Sequence, residues 1–293
     1  MTDYNLFPGC VIPNRLPYLE DSARKTFEKL GIKTHDAPFN CCPDPVGFQS
    51  VHHKSWMALS ARNLTIAEQD GRSIVSICNG CTQTLKMVNE ELKHDDDAKE
   101  EMNAILKKIG REFKGSVEVK HFVQVLIEDV GVEKIAEQVT NPFTGMKVAC
   151  HTGCHYSRPS HIMEWDDPMA PKFLRQIVET TGATAVDYDE EVLCCGAGVG
   201  NVEEEPAMHI LKQKMDSAIA AGADCFVVVC PACFQQLDNN QRTLKKYFEK
   251  DYNIPILYLT ELLALAFGHK YEELSLKLHR ARPQALFEKY NAV

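Results

Sequence analysis

The sequence has no uninterrupted apolar run of the roughly 20 residues that a membrane-crossing helix needs. Its most apolar stretches, Cys225–Cys230 and Leu262–Phe267, are far shorter and fit a core strand and a core helix. Met1–Cys10 has neither the basic start nor the apolar centre of a secretory leader. The chain is therefore expected to be cytoplasmic, without a membrane span. Positive charge is also in short supply: 32 Lys and Arg against 41 Asp and Glu leave a net charge of −9. That argues against nucleic acid, whose phosphates call for a basic face. No G-x-G-x-x-G follows a strand-like run, so a dinucleotide or flavin fingerprint is missing. Gly196-Ala197-Gly198-Val199-Gly200 is glycine-rich, but it directly follows a cysteine pair and reads as a loop beneath a ligand site. The C-x2-C-x2-C-x3-C-P run of ferredoxin-type domains is missing too.

What the sequence does have is cysteine: 12 among 293 residues, in clusters. A secreted disulfide scaffold would be shorter, and in a reducing compartment clustered cysteines bind metal or do redox chemistry. A length of 293 residues exceeds the usual single domain, so two domains are expected.

Ten of the cysteines fall into two matching sets. The first is Cys10, then Cys41-Cys42, then Cys78-Asn79-Gly80-Cys81. The second is Cys154, then Cys194-Cys195, then Cys230-Pro231-Ala232-Cys233. The intervening gaps are 30 and 35 residues in the first set and 39 and 34 in the second. Gly9 precedes Cys10 as Gly153 precedes Cys154, and β-branched runs, Ser73–Ile77 and Phe226–Val229, lead into both CxxC pairs. Repetition at this spacing indicates a duplicated domain, divided into residues 1–140 and 141–293. Cys150 and Cys225 fall outside the pattern and read as small core residues.

Helical spacing marks Thr82–Leu92 and Phe234–Tyr247 after the CxxC pairs, Tyr18–Leu30 and Ser55–Gln69 in the first half, and Pro171–Thr181, Glu205–Ala221 and Glu261–Gly268 in the second. The connection Asp95–Asn141 adds helices over Ala98–Ile109 and Val123–Val130. Strands are expected at Met146–Ala149, Thr184–Tyr188 and Pro255–Tyr258. The fold class is α/β: two pseudo-symmetric domains, each a small, mostly parallel sheet flanked by helices, with cysteine loops at the strand ends. In such sheets ligands sit at the carboxyl ends of the strands, so the three cysteine groups of each half should converge.

Five thiols per half need a chemical reason. Structural zinc, a [2Fe–2S] cluster and a cubane [4Fe–4S] cluster each take four ligands. The adjacent Cys-Cys pair is the informative part, because neighbouring side chains diverge and reach different irons of an extended cluster more readily than one tetrahedral ion. CxxC lets two sulfurs reach one small site at a helix start, where the dipole favours thiolate. Zinc in one half or both remains a possible reading of the residues alone.

These residues resemble a known family. The pattern C-x(30–39)-C-C-x(34–36)-C-x-x-C, present twice, is similar to the CCG-domain signature of heterodisulfide reductase B subunits from methanogenic archaea. Pro8–Arg15, Gly153-Cys154-His155 with Arg158-Pro159, Cys194–Gly198 and Val228–Cys233 carry the likeness. The first Cys-Cys is followed by Pro43, so the name-giving triplet is complete only in the second half. The resemblance implies that Cys10, Cys41, Cys42, Cys78 and Cys81 ligate one non-cubane [4Fe–4S] cluster and Cys154, Cys194, Cys195, Cys230 and Cys233 another. It implies reduction of the mixed disulfide of coenzyme M and coenzyme B, with no catalytic side chains beyond the ligands. Electrons would come from a ferredoxin-like C subunit fed by a flavin-containing A subunit, with a hydrogenase or formate dehydrogenase in a larger complex.

The sulfonate, phosphate and carboxylate of that substrate suit arginine. Arg15 and Arg158, each a few residues after a Gly-Cys ligand, are candidates, as are Lys54 and Lys212 on the helices after the Cys-Cys loops. His155 is a candidate ligand or proton donor, ahead of His52, His53, His151 and His161. Two other functions compete: a CCG subunit of a lactate, glycolate, glycerol-3-phosphate or fumarate oxidoreductase, and a structural zinc protein.

Overall fold

The computed structural model describes residues 3–290. The chain builds two four-stranded sheets with the same strand order, β2-β1-β3-β4 and β6-β5-β7-β8. The strands are β1 (Asp3–Phe7), β2 (Lys33–His35), β3 (Ile74–Ser76), β4 (Val119–His121), β5 (Lys147–His151), β6 (Thr184–Ala185), β7 (Cys225–Val228) and β8 (Ile256–Tyr258). Every neighbouring pair is parallel. β3 and β7 are buried along their whole length, as apolar strands covered by helices on both faces must be. Phe7 pairs with Ser76 in the first sheet, and His151 with Val228 in the second. Because all strands run one way, the loops after β1, β2 and β3 share one edge, and those after β5, β6 and β7 share the matching edge.

The halves are joined by packing. Helix Pro17–Leu30 starts on a proline and stops at Gly31, whose φ of 73° only glycine takes without strain. It lies on helix Leu259–Ala266 of the other half: Ser22 Oγ is 2.7 Å from Thr260 Oγ1, and Thr26 Oγ1 donates to the Thr260 carbonyl at 3.0 Å. The rings of Phe122 and Tyr258 stack at 5.8 Å. One continuous apolar core therefore holds Leu19, Phe27 and Phe122 together with Phe226, Leu262 and Leu263. Each such side chain contributes roughly 1.5–3 kcal/mol over exposure. A second core around Trp56, Leu64, Leu85 and Phe113 belongs to the first half alone. Cys150 and Cys225 are fully buried in the shared core.

Several boundaries differ from expectation. The single helix expected over Phe234–Tyr247 is two, Pro231–Asn239 and Gln241–Phe248, broken at Asn240. The strand expected over Thr184–Tyr188 stops at Ala185, because Arg175 takes the Ala185 and Val186 carbonyls at 3.1 Å each. Val123–Val130 forms a short α-helix, Phe122–Val125, followed by one wider π turn. No helix among the described residues is long and apolar enough to cross a membrane.

Candidate metal centre

Each cysteine group follows a strand end. Cys10 precedes the short helix Val11–Arg15 after β1, and Cys41-Cys42 lie beyond β2. Cys78 caps helix Asn79–His94 and Cys81 sits in its first turn, as Cys230 caps helix Pro231–Asn239 with Cys233 in its first turn. Cys154 and Cys194-Cys195 occupy the loops after β5 and β6. The sulfurs form a connected series. Cys41 contacts Cys10, Cys42 Sγ lies 2.6 Å from Cys81 Sγ, and Cys81 contacts Cys78. In the second half Cys154 contacts Cys194, Cys194 contacts Cys195, and Cys233 bridges Cys195 and Cys230. Cys78 and Cys230, from opposite sets, lie near enough to shift each other's ionisation. Cys42, Cys81, Cys195, Cys230 and Cys233 are buried, whereas Cys10 and Cys41 are exposed.

Glycine makes this proximity possible. Gly9 and Gly153 have φ of +75° and +82°, and a Cβ on them would sit 2.7 Å from Cys81 Sγ and 3.1 Å from Cys233 Sγ. The halves also grip each other here. Asn79, inside the first CxxC, donates through Nδ2 to the Thr152 carbonyl at 2.6 Å. The Tyr258 hydroxyl donates to the Ile77 carbonyl, just before Cys78.

The electrostatics call for a cation. Hydrogen bonds from its neighbours Cys233 and Cys78, helped by the N–H groups of Cys233 and Ala232, hold Cys230 well below the ordinary thiol range. Contacts with Cys154 and Cys195 and the Gly196 N–H likewise draw Cys194 down to about 2. The cost falls on their partners. Cys195, beside Cys194, is pushed up to about 12, and burial followed by Cys10 and Cys42 pushes Cys41 up to about 12. Crowded thiols cannot all ionise against one another in a buried site, but a bound cationic core lets them. Ten soft sulfur donors and no carboxylate among them fit zinc or iron–sulfur chemistry, and five per half exceed what one zinc uses. His151 adds to this: with Cys195 and Cys233 its donor atoms all lie within 4.8 Å of one another. Its two ring nitrogens have no hydrogen-bond partner among the described residues, and burial pushes it down to about 3, so it is neutral.

The expected anion-binding residues are less uniform. Arg15 is exposed at the end of its short helix. Arg158 donates from Nη2 to the Val192 carbonyl at 3.0 Å, two residues before Cys194, and its Nε is buried without a partner among the described residues. Lys54 is ion-paired with Glu101, and Lys212 with Asp216 at 2.6 Å. His155 is half-buried beside Cys154. His52 caps helix His53–Asp70, and His53 faces Glu91 at 3.8 Å.

Sequence reasoning overlooked Asn79, Tyr258 and Lys214. Nothing local marks the first two, because their partners lie in the other half. Lys214 did leave a signal: it interrupts the apolar stripe Ala207, Leu211, Met215, Ala218 at helical spacing.

The CCG cysteine-rich domain model matches residues 4–86 and 148–238. The chain is 39% identical to the B subunit of the ferredoxin/F(420)H(2)-dependent CoB-CoM heterodisulfide reductase of Methanosarcina acetivorans, over 94% of this chain and 93% of that one. It is 38% identical to the B subunit of the ferredoxin:CoB-CoM heterodisulfide reductase of Methanosarcina mazei, with the same coverage. It is 30% identical to the membrane anchor subunit of the 8-methylmenaquinol:fumarate reductase of Wolinella succinogenes, over 94% and 95% of the two chains. A crystal structure of a hypothetical protein from Helicobacter pylori shares the fold, with a TM-score of 0.77 at 20% identity, covering 96% of this chain and 52% of that chain.

Proposed function

This chain belongs to the CCG cysteine-rich family of heterodisulfide reductase B subunits, and from that premise we propose that it reduces the coenzyme M–coenzyme B heterodisulfide to two thiols. The observation that carries the reading is the duplication of the five-cysteine set, with Cys78 of one set and Cys230 of the other near enough to shift each other's ionisation. Cys10, Cys41, Cys42, Cys78 and Cys81 would hold one [4Fe–4S] cluster of non-cubane type. Cys154, Cys194, Cys195, Cys230 and Cys233 would hold the second, in domains divided at residues 140 and 141. When bound, two such clusters supply the two electrons and the two thiophilic irons that splitting one disulfide requires.

The chain's own residues do the rest. The cysteine loops and the glycines beneath them fix the spacing of the two sites. Arg15 and Arg158 are the candidates for orienting the sulfonate and phosphate ends through charge-assisted hydrogen bonds; Lys54 and Lys212 already carry acidic partners. His155, next to Cys154, is the candidate proton donor to a leaving thiolate. The balance is one disulfide, two electrons and two protons giving two thiols. The sequence has no flavin or dinucleotide fingerprint, so a ferredoxin-like C subunit, itself fed by a flavin-bearing A subunit, would deliver electrons in a cytoplasmic complex. A second reading, an electron-transfer subunit of a fumarate-type reductase, is favoured by the Wolinella relative.

The test is anaerobic turnover. The purified chain, given a reduced viologen dye, should consume the mixed disulfide and release both thiols, and NADH alone should not drive it. A fully iron-loaded chain that leaves the disulfide untouched under those conditions would overturn the reading in favour of electron transfer alone.

A further inference from the structure

The two halves carry the same cysteines but unequal charge around them. Lys214 lies on helix Glu204–Ala220 with no exposure to solvent. Its ammonium donates to the Glu190 carbonyl and, at 3.3 Å, to the Glu191 carbonyl, in the segment leading into Cys194-Cys195. It sits 5.5 Å from the centre of the Tyr188 ring. Burial draws its pKa down to about 8 against the opposing pull of Cys233 and Cys195, followed by Glu190 and Cys194, and leaves it a cation at neutral pH. A buried cation is thus fixed on the segment that leads into Cys194-Cys195, near enough to the second set for Cys233 and Cys195 to be its strongest charge partners.

The first half has a neutral residue at this place. Asn63 lies eight positions before Gly71, which closes its helix, as Lys214 lies eight before Gly222. Asn63 is also fully buried and also holds the segment before its Cys-Cys pair, donating to the Asn40 and Cys41 carbonyls at 3.3 Å each. The task is the same and the charge is not.

We propose that Lys214 is an electrostatic positioning residue that makes the second cysteine site the stronger electron acceptor, so that electrons settle on the Cys154–Cys233 side first. The physical basis is that one-electron reduction adds negative charge to a cluster, and a fixed cation in a water-poor site stabilises the reduced form more than the oxidised one. The inference rests on the two-cluster reading.

The experiment is an EPR-monitored potentiometric titration, with dithionite as reductant, of the anaerobic wild type and of Lys214→Met, Lys214→Arg and Asn63→Lys. The wild type should show two midpoints. Lys214→Met should lower the more positive one by at least a tenfold change in the reduction equilibrium, about 59 mV for one electron, leaving the other in place. Lys214→Arg should restore it. Asn63→Lys should raise the more negative midpoint and narrow the gap. Unchanged midpoints in iron-complete Lys214→Met overturn the proposal, as does a shift of the lower midpoint instead. If Lys214→Met loses its iron, Asn63→Lys decides: a full iron content with neither midpoint moved overturns it. Zinc instead of iron in the wild type would defeat the parent reading, a result separable from any shift in potential.

Discussion

Cys78 and Cys230, the residues that cap the two CxxC helices, lie close enough across the boundary between the halves for each thiol to shift the other's ionisation. On the proposed function the two cysteine sets are two ends of one site. If both ends act on one substrate, Cys81→Ala and Cys233→Ala should each abolish heterodisulfide cleavage, and the double variant should be no worse than either single one, as for groups that act as a unit. Turnover by a variant whose spectrum shows only one intact cluster would refute joint action.

Gly9 and Gly153 give a gentler test, since no ligand is removed. Each has a positive φ and approaches a sulfur of its own half at a distance where a Cβ would intrude. Gly9→Ala should lower iron content in the first half and Gly153→Ala in the second, each by strain of order 1–2 kcal/mol plus the clash. Iron and sulfide assays on anaerobic protein check this; full loading of both variants would show that these glycines are not needed for site closure.

The repeated cysteine spacing revealed the duplication, and the alternation of strand-like and helical runs revealed the parallel sheets; that the cysteine groups of each half converge then followed, because each group comes after a strand and parallel strands end on one edge. Contact between the halves was not legible. Ser22 with Thr260, Asn79 with Thr152 and Tyr258 with Ile77 are pairings of residues far apart in sequence, and no periodicity encodes them. Short edge strands such as β2 were also missed, since three half-exposed residues, Lys33-Thr34-His35, carry no apolar alternation. The break at Asn240 escaped notice because the apolar positions on its two sides keep nearly helical spacing.

The shared core predicts a single unfolding event in place of two. Tyr258→Phe removes the donor to the buried Ile77 carbonyl and should cost about 1–3 kcal/mol, lowering the melting temperature of the whole chain. Calorimetry under anaerobic conditions should show one transition in both proteins. Two separate transitions, only one of them shifted, would mean that the halves fold independently.

His279 predicts a pH dependence. It is buried, with Nε2 2.9 Å from Glu261 Oε1 and Nδ1 3.0 Å from the Ile256 carbonyl. Burial acts to lower its pKa, but Glu261 and Asp238 raise it further, so the folded value lies above the ordinary one. A raised folded pKa means that the pair's contribution is complete below about 6.5 and fades as pH rises through the folded value. His279→Gln should therefore be destabilised relative to wild type more at pH 6 than at pH 9. Melting curves at the two values check the sign, and an equal or larger gap at pH 9 would contradict it.

On the proposed function, five cysteines in each half hold one iron–sulfur cluster, two per chain. Iron, acid-labile sulfide and zinc measured per chain on anaerobically purified protein, with an EPR spectrum recorded after a thiol substrate is added, test it most directly. Two four-iron clusters give about eight irons and a matching sulfide content, with an EPR signal altered by the thiol. Stoichiometric zinc with little iron, and no response to thiol, would contradict it.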